Sequence, residues 1–176
     1  LELARKLGTY FSAKDVEIML VDKNRTHLWK PLLHEVAAGS LDANLDEVGY
    51  GGHGVKWGYR FFYGTFHSIN RNKRLITIAP LKDQHGEEII KAHDIYYDYL
   101  VIATGGVSND FSIPGVLKNA LFLEQRTHAD EFRARLLNEC FKVSLQVNGG
   151  HKDAHVDVVI VGGGATGVEL AAELYN

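Results

Sequence analysis

A nearly continuous hydrophobic run near the C-terminal end of the chain leads directly into a stretch of glycines. Val156–Val161 contains a single polar residue, and the glycine-rich stretch from Gly162 to Gly167 follows without a break. Beyond it, Leu170 and Leu174 recur at helical spacing. Because a Val/Ile-rich run is typical of a buried parallel strand, the pattern predicts a strand, a tight turn and a helix.

The glycines of this turn have the spacing GxGxxG, formed by Gly162, Gly164 and Gly167. In a dinucleotide-binding turn the first glycine allows the tight bend, the second lets a pyrophosphate approach the backbone, and the third lets the helix pack on the strand. The free N–H groups and the dipole of the helix would then bind the phosphates. A glycine-rich loop of some other α/β domain is the alternative.

A short motif occurs twice, at the two ends of the chain. Leu1–Leu7 and Val168–Leu174 both have the pattern xELAxxL, which indicates two copies of one unit. The first copy has no strand and glycines before it, and the chain begins with Leu. We therefore expect a fragment of a longer protein with two dinucleotide-binding folds. A coincidence between two short helical strings is the alternative.

The N-terminal part of the chain continues the predicted α/β order. Leu1–Phe11 has helical periodicity, and Val16–Val21 is predicted to be a strand that ends at Asp22. In a dinucleotide-binding unit, an acid about twenty residues after the glycine turn accepts hydrogen bonds from a ribose. Asp22 has this offset from the missing glycine turn of the first copy, so it is the candidate for binding the first cofactor. A solvated acid at a strand end is the alternative. His27–Gly39 is predicted to be helical, with Pro31 near its start and Gly39 as its C-terminal cap.

The middle of the chain changes to short strands, while the segment Leu41–Trp57 allows no assignment. The predicted elements are an antiparallel meander, then a buried strand and a long helix with Phe132, Leu136 and Cys140 on its packing face. The meander comprises Arg60–Thr65, Arg74–Ala79 and Glu88–His93, the buried strand is Tyr96–Ala103, and the helix is Thr127–Val147.

The buried strand ends in Ala103, Thr104 and Gly105. Backbone N–H groups and a small threonine at the carboxyl end of a strand line the crevice where ligands bind in open α/β sheets. A turn that only reverses the chain is the alternative.

Composition and charge exclude several classes of function. The net charge of −3 and the scattered lysines and arginines give no footprint for nucleic acid. No apolar run approaches the length of a membrane span, so any membrane contact is expected from segments outside this sequence.

Cysteine and histidine positions argue against disulfide and metal chemistry. Cys140 is the single cysteine, which excludes an intrachain disulfide and favours a reducing, cytoplasmic setting. His34-Glu35 lacks the second histidine of HExxH because Ala38 stands there, and we predict no metal site.

These residues together carry a family resemblance that extends over nearly the whole chain. VDKN at 21–24, HLWKPLLHEVAAGSLD at 27–42, YDYLVIATG at 97–105, PG at 114–115 and VVIVGGGATGVELAAEL at 158–174 resemble the two-dinucleotide-domain flavoprotein reductases. Within these proteins, the chain resembles the type II NADH dehydrogenases, which are single-subunit NADH:quinone oxidoreductases.

The resemblance implies an α/β protein with a Rossmann-like FAD domain, interrupted by the meander, over residues 1–115. The start of a Rossmann-like NADH domain would follow over residues 116–176. It further implies the following roles: Asp22 binds the FAD ribose, Ala103, Thr104 and Gly105 line the flavin site, Lys30 and Pro31 pass near the isoalloxazine, Gly162, Gly164 and Gly167 hold the NADH pyrophosphate, and Glu169 is the catalytic carboxylate between flavin and nicotinamide. A helix acid without a further role is the alternative for Glu169.

The implied activity is electron transfer from NADH through FAD to a quinone in the respiratory chain. The implied location is the inner face of the cell membrane, with peripheral attachment. A homodimer is possible, and the choice between NADH and NADPH is left open. The isolated chain is expected to be inactive. A disulfide reductase is disfavoured because no cysteine precedes Cys140. A ferredoxin- or rubredoxin-type reductase and a non-catalytic nucleotide sensor are the remaining alternatives.

Overall fold

A computed structural model describes residues 1–175 of the chain. They form two compact units. The first comprises residues 1–27 and 48–104, and the second comprises residues 28–47 and the chain from Gly105 onward.

Helices and strands are interspersed over residues 2–57, six consecutive strands lie within residues 60–96, and three helices follow within residues 116–175. The helices are α1 (Glu2–Tyr10), α2 (Leu33–Ala38), α3 (Ala43–Asp46), α4 (Tyr50–Trp57), α5 (Val116–Asn119), α6 (Arg126–Asn148) and α7 (Ala165–Tyr175), and a 3-10 turn, Lys30–Leu32, precedes α2. The strands are β1 (Met19–Asp22), β2 (Thr26–His27), β3 (Val48–Gly49), β4 (Arg60–Tyr63), β5 (Phe66–Asn70), β6 (Leu75–Ile78), β7 (Leu81–Lys82), β8 (Glu88–Ile90) and β9 (His93–Tyr96).

The first unit contains a parallel pair of strands that ends at Asp22. β1 pairs with β4, with Met19 opposite Arg60 and Asp22 opposite Tyr63. The prediction that the strand beginning at Arg60 belongs to the meander is therefore wrong. Parallel partners need a long crossover between them, and residues 23–59 supply it.

The predicted antiparallel insertion is confirmed for the strands that follow β4. The sheet order is β5-β6-β9, and β7 and β8 form a separate two-stranded pair. Residues of β6 alternate in burial, with Ile76 and Ile78 inside at 5% and 1% exposure. This period of two is what a sheet covered on one face requires.

Two segments predicted as buried strands do not form strands. In the predicted strand Tyr96–Ala103, only Tyr96 is in a strand, as the last residue of β9. No residue of Val156–Val161 is in a strand. Val101, Val159 and Val161 are exposed at 63%, 84% and 93%. A parallel strand is held by ladder hydrogen bonds to its neighbours, and no strand among residues 1–175 pairs with either segment. Apolar composition alone is therefore not sufficient to form a strand in these two segments.

The core of the second unit lies where α2 packs against α6 and α7. Its buried residues are Leu33, Val36 and Ala37 of α2, Ala43, Ala129 of α6 and Leu170 of α7. The predicted glycine cap of α2 is confirmed, since Gly39 has a φ of 91° and its N–H donates to the Glu35 carbonyl oxygen at 2.8 Å. Only glycine adopts this left-handed conformation readily.

Helix α6 confirms the predicted long helix, but Cys140 is exposed, so its predicted packing role is wrong. The 23-residue helix is roughly 35 Å long, whereas the six residues of α2 cover about 9 Å. Residues 137–142 of α6 are all exposed, so this part of the helix, which includes Cys140, does not contribute to the core. Among residues 1–175, no helix has both the length and the apolarity to cross a membrane.

Candidate dinucleotide-binding site

The glycine turn before α7 has the steric properties that its spacing predicts. Gly162 has a φ of 116°, a conformation that other residues rarely adopt. A Cβ added to Gly167 would collide with the carbonyl oxygen of Gly162 and lie 3.3 Å from Cγ2 of Ile160. A Cβ on Gly164 would meet no atom within 4 Å. The first glycine therefore makes the bend, the third closes the helix against it, and the second leaves space above the backbone.

The start of α7 presents unpaired N–H groups at this space. The first bond along α7 is from Val168 N to the carbonyl oxygen of Gly164, at 3.1 Å. The N–H groups of Ala165, Thr166 and Gly167 come before it and have no acceptor within the helix, as in the first turn of any α-helix. Together with the helix dipole, they form an arrangement that fits an anionic pyrophosphate.

Glu169 lies in the second turn of α7 and faces the segment that contains α2. Its Oε2 is 3.4 Å from Nδ1 of His34, and the two side chains are 45% and 12% exposed. On the next turn, Glu173 Oε2 accepts a hydrogen bond from Ser40 Oγ at 2.8 Å. Both acidic residues of α7 therefore contact polar groups beside the apolar core.

Lys30 is anchored by groups that lie far away in the sequence. Its Nζ donates to the carbonyl oxygen of Gly106 at 3.2 Å and to Oε2 of Glu124 at 3.3 Å. The hydroxyl of Ser108 donates to the other oxygen of Glu124, and this bond, followed by Lys30, lowers the pKa of Glu124. Glu124 thus ties the segment after Gly105 to the 3-10 turn. Pro31, the second residue of that turn, is exposed.

Asp22 sits at the carboxyl end of β1, where its carboxylate is held by two groups. Oδ1 accepts from the Asn24 N–H at 2.8 Å, and Oδ2 accepts from the Tyr50 hydroxyl at 3.2 Å. His27 Nδ1 is 3.3 Å from the Tyr50 oxygen, and we assign it as the donor because the hydroxyl proton is directed to Asp22. A carboxylate has about four lone-pair sites, so Asp22 retains capacity for ribose hydroxyls.

Burial sets the ionisation of this cluster. Tyr50 is 4% exposed, and burial, followed by the nearby Asp22 charge, raises its pKa. Burial is also the largest cause that lowers the pKa of His27. Tyr50 therefore stays a neutral donor, and the negative charge of the cluster resides on Asp22.

The predicted site residues are divided between the two units. Asp22, Ala103 and Thr104 belong to the first, while the second holds Lys30, Pro31, Gly105, Gly162, Gly164, Gly167 and Glu169. Ala103, Thr104 and Gly105 are exposed, and Gly105 has a φ of 72°. Within residues 1–175, no hydrogen bond joins Asp22 to Ala103 or Thr104. The structure does bring Lys30 to Gly106, the neighbour of Gly105.

Sequence reasoning missed Tyr50, Glu124 and Ser108 as supports of the predicted residues. Tyr50 lies in the glycine-rich segment that allowed no assignment, and Glu124 and Ser108 lie in irregular segments without periodicity. His34 was considered only as a metal ligand. The sequence feature that could have indicated a role for His34 is its place inside KPLLHEVAAG, a stretch that carries part of the family resemblance.

A glycine turn of this geometry, placed before a helix in an α/β chain, defines the class of dinucleotide-binding proteins. The chain belongs to the pyridine nucleotide-disulphide oxidoreductase family, whose sequence model matches residues 1–176.

Relatives within this family agree with the predicted resemblance. The chain is 42% identical over 188 aligned residues to a type II NADH:quinone oxidoreductase of Haemophilus influenzae, covering 100% of this chain and 42% of the relative. It is 39% identical over 109 residues to an external alternative NADH-ubiquinone oxidoreductase, mitochondrial, of Yarrowia lipolytica, covering 61% of this chain and 18% of the relative. The chain therefore spans less than half the length of either relative.

A solved structure shows the same fold. NDH2 from Plasmodium falciparum, determined in complex with NADH, superposes with a TM-score of 0.76 at 24% identity, covering 97% of this chain and 34% of that protein. The predicted α/β class with an antiparallel insertion and the resemblance to the type II NADH dehydrogenases are thus confirmed.

Proposed function

We propose that the whole protein is an FAD-dependent oxidoreductase that transfers electrons from NADH to a quinone. The observation that carries the proposal is the 42% identity to the Haemophilus influenzae NADH:quinone oxidoreductase, which runs through 100% of this chain. The glycine turn and the HEVAAG segment both lie inside that alignment. The domain boundary near residue 115 is part of this proposal.

The residues of the chain fit two nucleotides. Gly162, Gly164 and Gly167 hold the NADH pyrophosphate, since the turn leaves room above Gly164 and presents free N–H groups. Asp22 binds the ribose of FAD through the lone pairs that Asn24 and Tyr50 leave unused.

A second group of residues lines the proposed flavin site. Ala103, Thr104 and Gly105, which are exposed, line its site, and Lys30 and Pro31 border the isoalloxazine. Glu124 supports this arrangement, because it binds Lys30 and Ser108 at once. The bound flavin supplies two-electron acceptance from NADH and electron donation to the quinone.

Glu169 moves or holds a proton near the nicotinamide. Its carboxylate is half-exposed on the helix that the glycine turn begins, and such a side chain can exchange a proton with solvent. In the whole protein, Glu169→Gln keeps the size and removes the proton-accepting charge. We expect kcat to fall by about 10²-fold, the lower end of general acid–base contributions. Unchanged kcat with unchanged KM would remove Glu169 from the mechanism.

The proposal also includes peripheral attachment to the inner face of the cell membrane, because a quinone is a lipid-phase acceptor. A homodimer is compatible with it. Flotation of the whole protein with vesicles, before and after a high-salt wash, distinguishes peripheral attachment from none.

The central test is the visible spectrum of the purified whole protein. We expect flavin absorbance that NADH bleaches without oxygen and a quinone analogue restores. Restoration by rubredoxin or ferredoxin, with none by quinone, would assign the protein to the other reductase class. A colourless protein that binds NADH would identify a sensor and refute the proposal.

A further inference from the structure

Two of the stretches that carry the family resemblance, KPLLHEVAAG and GATGVELAAEL, are brought together by the packing of α2 against α7. Leu33 and Val36 are 3% and 1% exposed, and Leu170 is 8% exposed. His34 follows the first of these residues and Glu169 precedes the last. Because buried neighbours hold both backbones, the separation of the two side chains is set by the core.

The imidazole of His34 lies between two carboxylates. Nδ1 is 3.4 Å from Glu169 Oε2, and Nε2 is 3.8 Å from Glu35 Oε1. Both distances are longer than a good N–H···O bond, so neither contact is a completed hydrogen bond. The shorter approach is to Glu169, on a different element, whereas Glu35 is the next residue of the same helix.

Nδ1 of His34 is a buried polar atom without a hydrogen-bond partner among the described residues. At 3.4 Å from Glu169 Oε2, this nitrogen is within ion-pair distance of the carboxylate but not aligned for a hydrogen bond. Because Glu169 is 45% exposed, a small rotation of its side chain completes the bond. Buried polar groups without partners are rare in native proteins, and Glu169 supplies the available acceptor.

The Glu169 carboxylate needs a hydrogen-bond donor such as His34, because no other group among the described residues fixes its direction. Glu173, one turn further along α7, is held by Ser40, whereas Glu169 makes no completed hydrogen bond within residues 1–175. A half-exposed glutamate samples several rotamers, and a proton-transfer group must be held close to one geometry.

From this geometry we infer that His34 is the positioning residue for Glu169, with its Nδ1–H directed at the carboxylate. The inference rests on the proposed function, in which Glu169 handles a proton during NADH oxidation. His34 itself does not touch the reacting atoms; it restricts Glu169 to the rotamer in which the carboxylate works.

The kinetic test compares two substitutions in the whole protein. His34→Leu keeps a side chain of similar size without a donor, and His34→Asn places an amide nitrogen near the position of Nδ1. We expect His34→Leu to lower kcat by about 10-fold with KM for NADH unchanged, and His34→Asn to recover most of that loss. Ser40→Ala is the matched control, because it removes the other polar contact between the same two segments, and it should leave kcat unchanged.

A double-mutant cycle shows whether the effect passes through Glu169. In a Glu169→Ala background the acceptor is gone, so His34→Leu should produce no further loss. Equal losses in both backgrounds, or equal losses for the Leu and Asn variants, would overturn the inference. If the Leu variant fails to fold, the Asn variant carries the cycle, with a small effect expected that disappears in the Glu169→Ala background.

A spectroscopic readout keeps this inference separate from the proposed function. In ¹⁵N-histidine NMR spectra of the whole protein, His34 should show the Nδ1–H tautomer, and Glu169→Ala should change its ring resonances while Ser40→Ala does not. A His34 signal that is unaffected by Glu169→Ala refutes the pairing, whatever the activity. A protein that lacks quinone reductase activity but shows the coupled signal refutes the function and leaves the pairing intact.

Discussion

Replacing Gly167 by alanine tests the steric basis of the glycine turn. The new Cβ would overlap the carbonyl oxygen of Gly162 and press on Cγ2 of Ile160 at 3.3 Å. The oxygen belongs to the backbone of the bend itself, so it cannot move aside as the end of a flexible side chain could. The helix start must therefore move away from the bend.

The magnitude follows from two opposing terms. Overpacking of a closely packed site costs about 1–3 kcal/mol, while exchanging glycine for alanine in a helix recovers about 1 kcal/mol. The expected net loss is at most about 2 kcal/mol, and for a chain of 176 residues this lowers Tm by up to about 8 °C. Displacement of the helix N-terminus should also weaken NADH binding by about 10-fold or more.

Thermal unfolding and NADH titration of three variants separate stability from binding. Gly163→Ala is the control, since its Cβ meets no atom within 4 Å. Gly164→Ala should keep the Tm and lose NADH affinity, because its Cβ has space in the fold but would occupy the position proposed for the pyrophosphate. If Gly167→Ala matches Gly163→Ala in both Tm and NADH affinity, the steric argument is wrong.

The remaining predictions concern the clusters around Asp22 and Lys30. Tyr50→Phe removes the donor to Asp22 and should lower the free energy of unfolding by about 1–2 kcal/mol, measured by urea denaturation, and weaken FAD retention; unaltered retention would contradict a supporting role. Because the pKa of Tyr50 is raised, its contribution to stability is complete below the ordinary tyrosine pKa near 10 and is lost as the pH rises above it. Urea midpoints measured from below to above about pH 10 should show this loss, and Tyr50→Phe should remove it. The hydrogen bond from Ser108, followed by Lys30, lowers the pKa of Glu124, so the stability from these contacts is present above the ordinary value near 4.5 and is lost as the pH falls through the depressed value. Glu124→Gln should flatten this acid limb of the stability profile, and an unchanged limb would exclude a stabilising role for the two contacts.

Local sequence was sufficient wherever one segment contains all the atoms that determine its shape. The bend at Gly162, the closed helix start at Gly167 and the left-handed cap at Gly39 depend on contacts within a few residues, so their positions follow from glycine spacing. Helices α1 and α6 likewise agree with hydrophobic periodicity. The repeated xELAxxL motif predicted two helices correctly, but Ala4 is the buried residue of one copy and Leu170 that of the other. The motif is sufficient to predict a helix, whereas the element that packs against the helix determines which of its faces is buried.

The sequence by itself determined the α/β class, the glycine turn and the family. Only the tertiary structure decided which strands pair, that Cys140 is exposed, and that Glu124 binds Lys30 across a separation of 94 residues. The physical reason is that strand ladders and polar anchors join atoms distant in the chain. Hydrophobic periodicity and glycine spacing record only the preferences of neighbouring residues.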